Sequence, residues 1–404
     1  MMYFFVFIWL SALYFVLTRK FTNISVLLLS CILYSVPVAW VKNEGVWPIV
    51  VWILVLAIVV AFKLLERNKS DNLQGDYTHI SRFATFSNRV FNLFLIVVFF
   101  LVVVLSGGIS VFFEGKYGGV PSGSVSIYYF WNSLLVITLA SNILSRRFYD
   151  PLNYMCIFQV LLIFIGGDRT VPFLYLIMIL RFYLDGVSPI SVLTGRKLAL
   201  GITLLVISPF LVISKTIYTL LPSYGFSVDL VYAAFSGDYL SNIMNDFEPV
   251  HVHSLLVYAT SVGVSYDLFD FIKGMLAFFP GSSFIGIDPH AFSNSLKYNY
   301  FHSWGDAAGV GANFWAQAWT VGGLFGVFIF CFVLAWFLQQ LDRTFAIASS
   351  ANSKCLMLVY TSIFAFYIQR NSLEQILSFA GRYLFIFIFM WVFSYLLYAV
   401  FPRK

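Results

Sequence analysis

Apolar residues in this chain run in blocks too long for a soluble helix, separated by short polar joints. Crossing about 30 Å of hydrocarbon takes about 20 apolar residues. Eleven blocks meet or approach that length, at about 2–18, 23–41, 46–62, 90–106, 126–145, 148–166, 170–185, 198–214, 313–338, 355–369 and 383–401. Lipid offers no hydrogen bonds, so each block must satisfy its backbone within a helix. The pattern predicts an all-α polytopic membrane protein with about eleven transmembrane helices. The first block reads as a span and not as a cleaved leader, because no basic residue precedes it and it ends in Thr18-Arg19-Lys20.

Basic residues set the expected orientation. With the N-terminus outside and the blocks alternating, the inner joints collect most of the 24 Lys and Arg. They include Arg19, Lys20, Lys63, Arg67, Arg89, Arg146, Arg147, Arg181, Arg196 and Lys197, as the positive-inside rule requires. The stretch 215–312 then falls outside. The chain divides into spans one to eight over 1–214, a large outer loop over 215–312, and spans nine to eleven over 313–404. Within the first part, 63–89 is an inner linker of mixed charge that pins topology through anionic headgroups. The outer loop carries an apolar segment interrupted by Asp267, Asp270 and Lys273. Each such charge costs about 2.5–3.5 kcal/mol at mid-helix, so the segment is expected to form helices lying at the outer membrane–water boundary.

Composition narrows the class further. The 404 residues are 60% hydrophobic and 10% charged, with mean hydropathy +0.87, against about 25% charged in a soluble domain. Disordered, collagen-like and disulfide-built classes are excluded, and so is a nucleic-acid binder despite the net charge of +6. Cys31, Cys156, Cys331 and Cys355 stand singly in apolar runs. They read as buried small hydrophobes, not metal ligands or bridges.

The arginines carry more information than the net charge. On the outer side lie Arg169, Arg370 and Arg382, each at the opening or close of a span, where topology gives no reason for them. Guanidinium forks bidentately onto phosphate, which an ammonium cannot do. Gly166-Gly167-Asp168-Arg169-Thr170 forms a whole interspan joint and puts a cation at a helix start. That placement is unfavourable unless an anion sits nearby; alternatively Asp168 or Thr170 caps the helix and Arg169 snorkels or pairs with Asp168. In the run 370–382, a helix would bring Arg370 and Gly381 onto one face, eleven residues apart. Gly381 would then admit a close neighbour, while Glu374 would stand ready to pair with Arg370.

The outer loop supplies titratable groups. His251, His253, His290 and His302 lie there with Asp229, Asp238, Asp246, Glu248, Asp267, Asp270, Asp288 and Asp306. His302, Asp306, Asp246 and Glu248 are the candidates for orienting or deprotonating a hydroxyl, because they flank spans. No metal is expected, since His251 and His253 lack a third ligand at clear spacing. Beyond them, Gly322 and Gly326 make a small-xxx-small face expected to pack a helix closely, and Gln317 is expected to face the cleft.

A many-span layout with one large outer loop, a Gly-x-Arg turn (Gly167-Asp168-Arg169), a Gly-rich approach to a late span (Gly309, Gly311, Gly322, Gly323) and Arg-x10-Gly (Arg370 to Gly381) resembles the bacterial O-antigen polymerases of the Wzy type. The likeness covers the whole chain in layout and four short places in motif. It implies a GT-C-like glycosyltransferase in the bacterial inner membrane with its active site facing the periplasm, making lipopolysaccharide O-antigen from undecaprenyl-pyrophosphate-linked oligosaccharide. It implies no cofactor, and a chain-length-regulating membrane protein as partner. Arg169, Arg370 and Arg382 would hold pyrophosphate, a loop His or Asp would handle the acceptor hydroxyl, and Tyr298, Tyr300, Trp304 and Trp315 would stack on sugars or anchor the interface. The alternatives are an O-antigen ligase and, from another class, a lipid-linked saccharide flippase or transporter.

Overall fold

The computed structural model describes residues 2–41, 82–113, 125–146, 150–189, 220, 223–225, 227–235, 266–300, 313–348 and 350–400. These are helices and turns, with one isolated bridge between Phe21 and Asp185. In order the helices are α1 (Met2–Thr18), α2 (Asn23–Val41), α3 (Arg82–Leu105), α4 (Val125–Leu144), α5 (Pro151–Ile165), α6 (Thr170–Tyr183), α7 (Val228–Phe235), α8 (Leu268–Met275), α9 (Ala291–Tyr300), α10 (Phe314–Ile347), α11 (Ala351–Thr361) and α12 (Leu373–Val400). Five stretches are long and apolar enough to cross a bilayer: α3, α4, α10, α12, and α11 with the turns that prolong it to Gln369. Shorter apolar helices lie within α1 and α2, and as α5 and α6. The chain is a helical membrane protein. The expected spans at 46–62 and 198–214, and with them most of the linker 63–89, lie outside the described residues.

Three boundaries differ from the apolar pattern. Helix α3 opens at Arg82, earlier than the block at 90, because Ala84, Ser87 and Asn88 on its first turns are buried in the bundle. Helix α12 opens at Leu373, ten residues before the block at 383, with Glu374, Gln375 and Gly381 buried. Hydropathy cannot see either extension, since a polar side chain packed on a neighbour counts as a break. Helix α10 is not one rod. Gly322 (φ −149°, ψ 18°) and Gly323 (φ 57°, ψ −148°) leave helical geometry, the second in a region open essentially to glycine alone. The limbs 314–321 and 324–347 fold back on each other, bringing the Phe314 and Phe330 rings to 5.8 Å. A methyl on Gly326 would stand 2.5 Å from the Ala318 carbonyl oxygen. The expected close packing between helices at Gly322 and Gly326 is instead a sharp fold within one element.

Helix α4 is the centre of the bundle, buried without interruption from Trp131 to Leu144. It packs against α3, α5, α6, α11 and α12. Its polar residues are what lipid-facing helices avoid and a buried helix needs. Asn88 and Asn92 of α3 each donate to Asn142 Oδ1, at 2.7 and 2.9 Å, and Asn142 Nδ2 donates on to Asn153 of α5 at 3.1 Å. Such bonds between membrane helices contribute about 0.6–2 kcal/mol each. Trp131 Nε1 donates to Gln159 Oε1 at 2.7 Å. All four cysteines are buried free thiols.

Arg181, counted above among the topology-setting cations, does more than mark a side. It is 3% exposed and forms ion pairs with Asp185 and, at 2.8 Å, with Asp342 of α10. Its Nε donates to Asn23 Oδ1 at 2.9 Å, and Thr361 donates to the same oxygen at 2.8 Å. One guanidinium thus ties α6 to α10 and to the start of α2, where Asn23 also holds α11. Removing one partner of a buried pair strands the other charge and costs about 3–5 kcal/mol. Arg181→Ala is therefore expected to collapse the yield of monodisperse protein in detergent, read by size-exclusion profile and melting temperature, with Asp342→Ala close behind.

From 266 to 300, among the described residues, the segment interrupted by Asp267, Asp270 and Lys273 forms short elements and no helix of membrane-spanning length. Helix α8 has eight residues, opened by a capping box in which Asp267 accepts from Asp270 N at 2.8 Å. Its Phe271 and Gly274 are buried against the bundle, while Leu268, Phe269, Ile272 and Met275 stay exposed. Two 3-10 turns (Leu276–Phe278 and Ser282–Ile285) then lead to α9.

Candidate functional site

Arg370 and Arg382 lie along one aromatic wall, and the start of α6 beside Arg169 is bonded to it. Helix α5 ends at Gly166 and Gly167, the latter at φ 87°, which reverses the chain. Asp168 Oδ1 then accepts from Thr170 N at 2.8 Å, so Asp168 caps the start of α6, as one reading of the joint had it. Arg169 occupies the N-cap position itself without a side-chain cap bond. The next residue, Thr170, bonds through its hydroxyl to the Tyr367 hydroxyl at 2.9 Å.

Tyr367 belongs to an irregular stretch. Helix α11 loosens into a π turn (Ser362–Phe366) and tightens into a 3-10 turn (Tyr367–Gln369) before Arg370. Local departures of this kind cluster at functional sites. The Arg370 guanidinium lies 5.8 Å from the centre of the Tyr367 ring, and that ring lies 5.9 Å from Phe379. Arg382 sits 5.6 Å from Phe379 and 5.2 Å from Tyr129. The order along the wall is Arg370, Tyr367, Phe379, Arg382, Tyr129, with the helix start at Arg169 pinned to Tyr367. All three arginines are half-buried. A guanidinium stacked on a ring is attracted to its π face and presents its N–H donors as a fixed fork to a pair of phosphate or carboxylate oxygens.

Three expectations about 370–382 need correction. Arg370 and Gly381 do not share a helix face, because Arg370 lies in the turn before α12 begins at Leu373. Arg382 does not open a span; it lies well inside α12. Nor does Glu374 pair with Arg370. The helical spacing that would join them does not exist, and both oxygens of Glu374 are used elsewhere. The idea that Gly381 admits a close neighbour does hold: the Phe278 carbonyl lies where a Gly381 side chain would stand.

Glu374 is the residue that sequence reasoning misplaced. It is 1% exposed, at the joint of α8, α9, the first limb of α10 and α12. It accepts from Gln317 Nε2, from the Phe292 N–H at 3.0 Å and from the Tyr266 hydroxyl at 3.3 Å. Gln317 also donates to the Tyr266 oxygen at 2.8 Å and accepts from Leu373 N at 2.7 Å. Burial and the Glu374 charge push the Tyr266 phenol upward, so it remains a donor. Next to this knot Gln375 donates to His290 Nδ1 at 2.6 Å, and Asp288 accepts from His290 N and Asn294 Nδ2, each at 2.8 Å. Gln317, fully buried, does not face a cleft. Trp315 is equally buried and donates to Gln369 Oε1 at 2.8 Å, so it offers no sugar-stacking face. Only the chemistry of the side chains, an acid and two amides near three spans, hinted at this knot.

The acceptor-side candidates His302, Asp306, Asp246 and Glu248 lie outside the described residues, as do His251, His253 and Trp304. Among the described residues no three His, Cys, Asp or Glu come together as a metal site. Comparison with protein-family models, curated proteins and solved structures finds no match for the chain.

Proposed function

We propose that this protein is a membrane glycosyltransferase that polymerises undecaprenyl-pyrophosphate-linked oligosaccharide repeat units on the outer face of a bacterial inner membrane. The observation that carries the reading is the arginine wall: Arg370 and Arg382 on one run of rings, with the helix start at Arg169 bonded to it. Two guanidinium groups on one run of rings, with a third arginine at the helix start bonded to it, supply the positive charge that a pyrophosphate needs. In the reaction, an acceptor hydroxyl oxygen bonds to the anomeric carbon of the donor chain. The anomeric carbon–oxygen bond to pyrophosphate breaks, lipid pyrophosphate leaves, and the hydroxyl proton passes to a base or to water. Cations already in place lower the barrier by stabilising the departing charge. His302, Asp306, Asp246 and Glu248 are the proposed acceptor-side groups, and no cofactor takes part.

The test is the purified protein mixed with lipid-linked repeat units. A ladder of lengthened lipid-linked products supports polymerisation. Transfer only to lipid A core would make the protein a ligase, and lipid translocation without new glycosidic bonds would make it a flippase. Orientation is checked separately. A reporter active only outside the cytoplasm is expected to report when fused near Asp238 or Ser378, and to stay silent near Gly75, Gly195 or Asn352. Silence at Asp238 would place 215–312 inside and sink the reading.

A further inference from the structure

The geometry points to Glu374 as the positioning residue of the arginine wall, a latch that shares its carboxylate with Gln317 and fastens the segment 266–296 onto the first turn of α12. The serving of a pyrophosphate rests on the function proposed above; the latch itself does not.

The argument begins with the donors. Three of them converge on one carboxylate: the Gln317 amide, the Phe292 backbone N–H and the Tyr266 hydroxyl. They come from three parts of the chain, namely α10, α9 and the residue just before the α8 cap. The carboxylate belongs to a fourth, α12. An acid in this place meets donors only, so every polar atom facing it is satisfied; a neutral side chain would leave at least one donor facing another. Packing follows the same line. Gly274 lies against Glu374 and Tyr266, with room for a methyl only at 3.4 Å from the Glu374 Cβ and the Tyr266 oxygen. About two turns further along α12, Gly381 receives the Phe278 backbone. The segment thus touches α12 at two levels, the acid and the glycine, and Arg382 follows Gly381 directly. Where the latch sits decides where Arg382 stands on Phe379 and Tyr129.

The hydrogen-bond inventory gives a rescue test that ordinary loss of packing would fail. Glu374→Gln keeps one oxygen for Phe292 and Tyr266 but sets an amide donor against the Gln317 donor. Turning Gln317 over does not help, because its oxygen is already held by Leu373 N. Exchanging the two residues repairs this. In Q317E/E374Q the acid at 317 accepts from Leu373 N, from the amide at 374 and from the Tyr266 hydroxyl. The oxygen of that amide accepts from Phe292 N. One negative charge is kept and every donor has an acceptor.

Hydrogen–deuterium exchange of the full-length protein in nanodiscs reads the latch directly, and chain extension reads its consequence. Glu374→Gln is expected to speed exchange over 266–296 by about tenfold or more, the scale set by a lost hydrogen bond to a charged group. Exchange in α4 should stay unchanged and chain extension should fall. Q317E/E374Q is expected to return exchange to the wild-type rate and to recover extension. The latch is overturned if Glu374→Gln exchanges like wild type, if it loosens α4 equally, or if the exchanged pair stays as loose as the single variant. Should Glu374→Gln fail to yield protein, the exchanged pair alone decides, since a latch requires it to fold and to show wild-type protection. Restored protection with extension absent in wild type and variants alike would refute the polymerase reading and leave the latch standing.

Discussion

Arg370→Ala is expected to abolish measurable chain extension at normal protein abundance, and Arg370→Lys is expected to rescue little of it. Loss of a single preplaced donor at a developing anion costs about 10²–10³ in rate. Arg370 would supply two donors of fixed geometry at once. Its carrier turn makes the lysine result informative. Tyr367 holds the guanidinium face and is itself held by Thr170, so the fork is aimed before any ligand arrives. An ammonium on a flexible stem keeps the charge and loses both the stacking and the fork. Arg382, between Phe379 and Tyr129, should answer lysine in the same way. Arg169, whose place beside the wall is fixed by the neighbouring Thr170 hydroxyl, should tolerate it better. Donor binding, measured with the lipid-linked unit in the absence of acceptor, should weaken in step with rate for Arg370. Wild-type extension in Arg370→Ala would remove it from the site.

The wall was partly legible in the sequence. Under the orientation expected from the positive-inside rule, Arg169, Arg370 and Arg382 stood out by position alone. The Asp168 cap was legible too, because a carboxylate two residues before a helical N–H has an obvious partner. What brings the arginines together was not. A π turn followed by a 3-10 turn at 362–369 leaves no trace in a run of Ser, Phe, Ala and Tyr that reads as ordinary span. With that irregularity unseen, the run 370–382 was given a helical phase it does not have, and Glu374 was assigned to the wrong partner. The fold at Gly322 and Gly323 was hidden for a related reason: paired glycines in an apolar run signal close packing and a break equally well. Buried polar residues misled most. Gln317 looks like a group for a cleft, and Glu374 like a partner for Arg370, when only the chain is in view. In lipid, however, a polar side chain gains as much from another helix as from a ligand.

Gly381→Ala tests the join between the outer segment and α12 with a sign that cannot be confused. Inside a helix with free space around it, Gly→Ala stabilises by about 1 kcal/mol through propensity alone. Here the added methyl would overlap the Phe278 carbonyl oxygen, with the carbonyl carbon at 2.7 Å and the Phe278 Cα at 3.3 Å. These are backbone atoms, and no rotamer change moves them aside. The turn Leu276–Phe278 must lift from α12, or α12 must shift, and overpacking of that kind costs about 1–3 kcal/mol or more. The expected result is a lower melting temperature and faster exchange over 276–296, with chain extension reduced because Arg382 is the next residue. Gly274→Ala makes the comparison, since its methyl meets the Glu374 Cβ and the Tyr266 oxygen at 3.4 Å, tight but with side-chain atoms that can yield, and should change stability far less. A Gly381→Ala protein more stable than wild type would mean that the Phe278 backbone does not sit on α12, and the wall would lose the support of the segment 266–296.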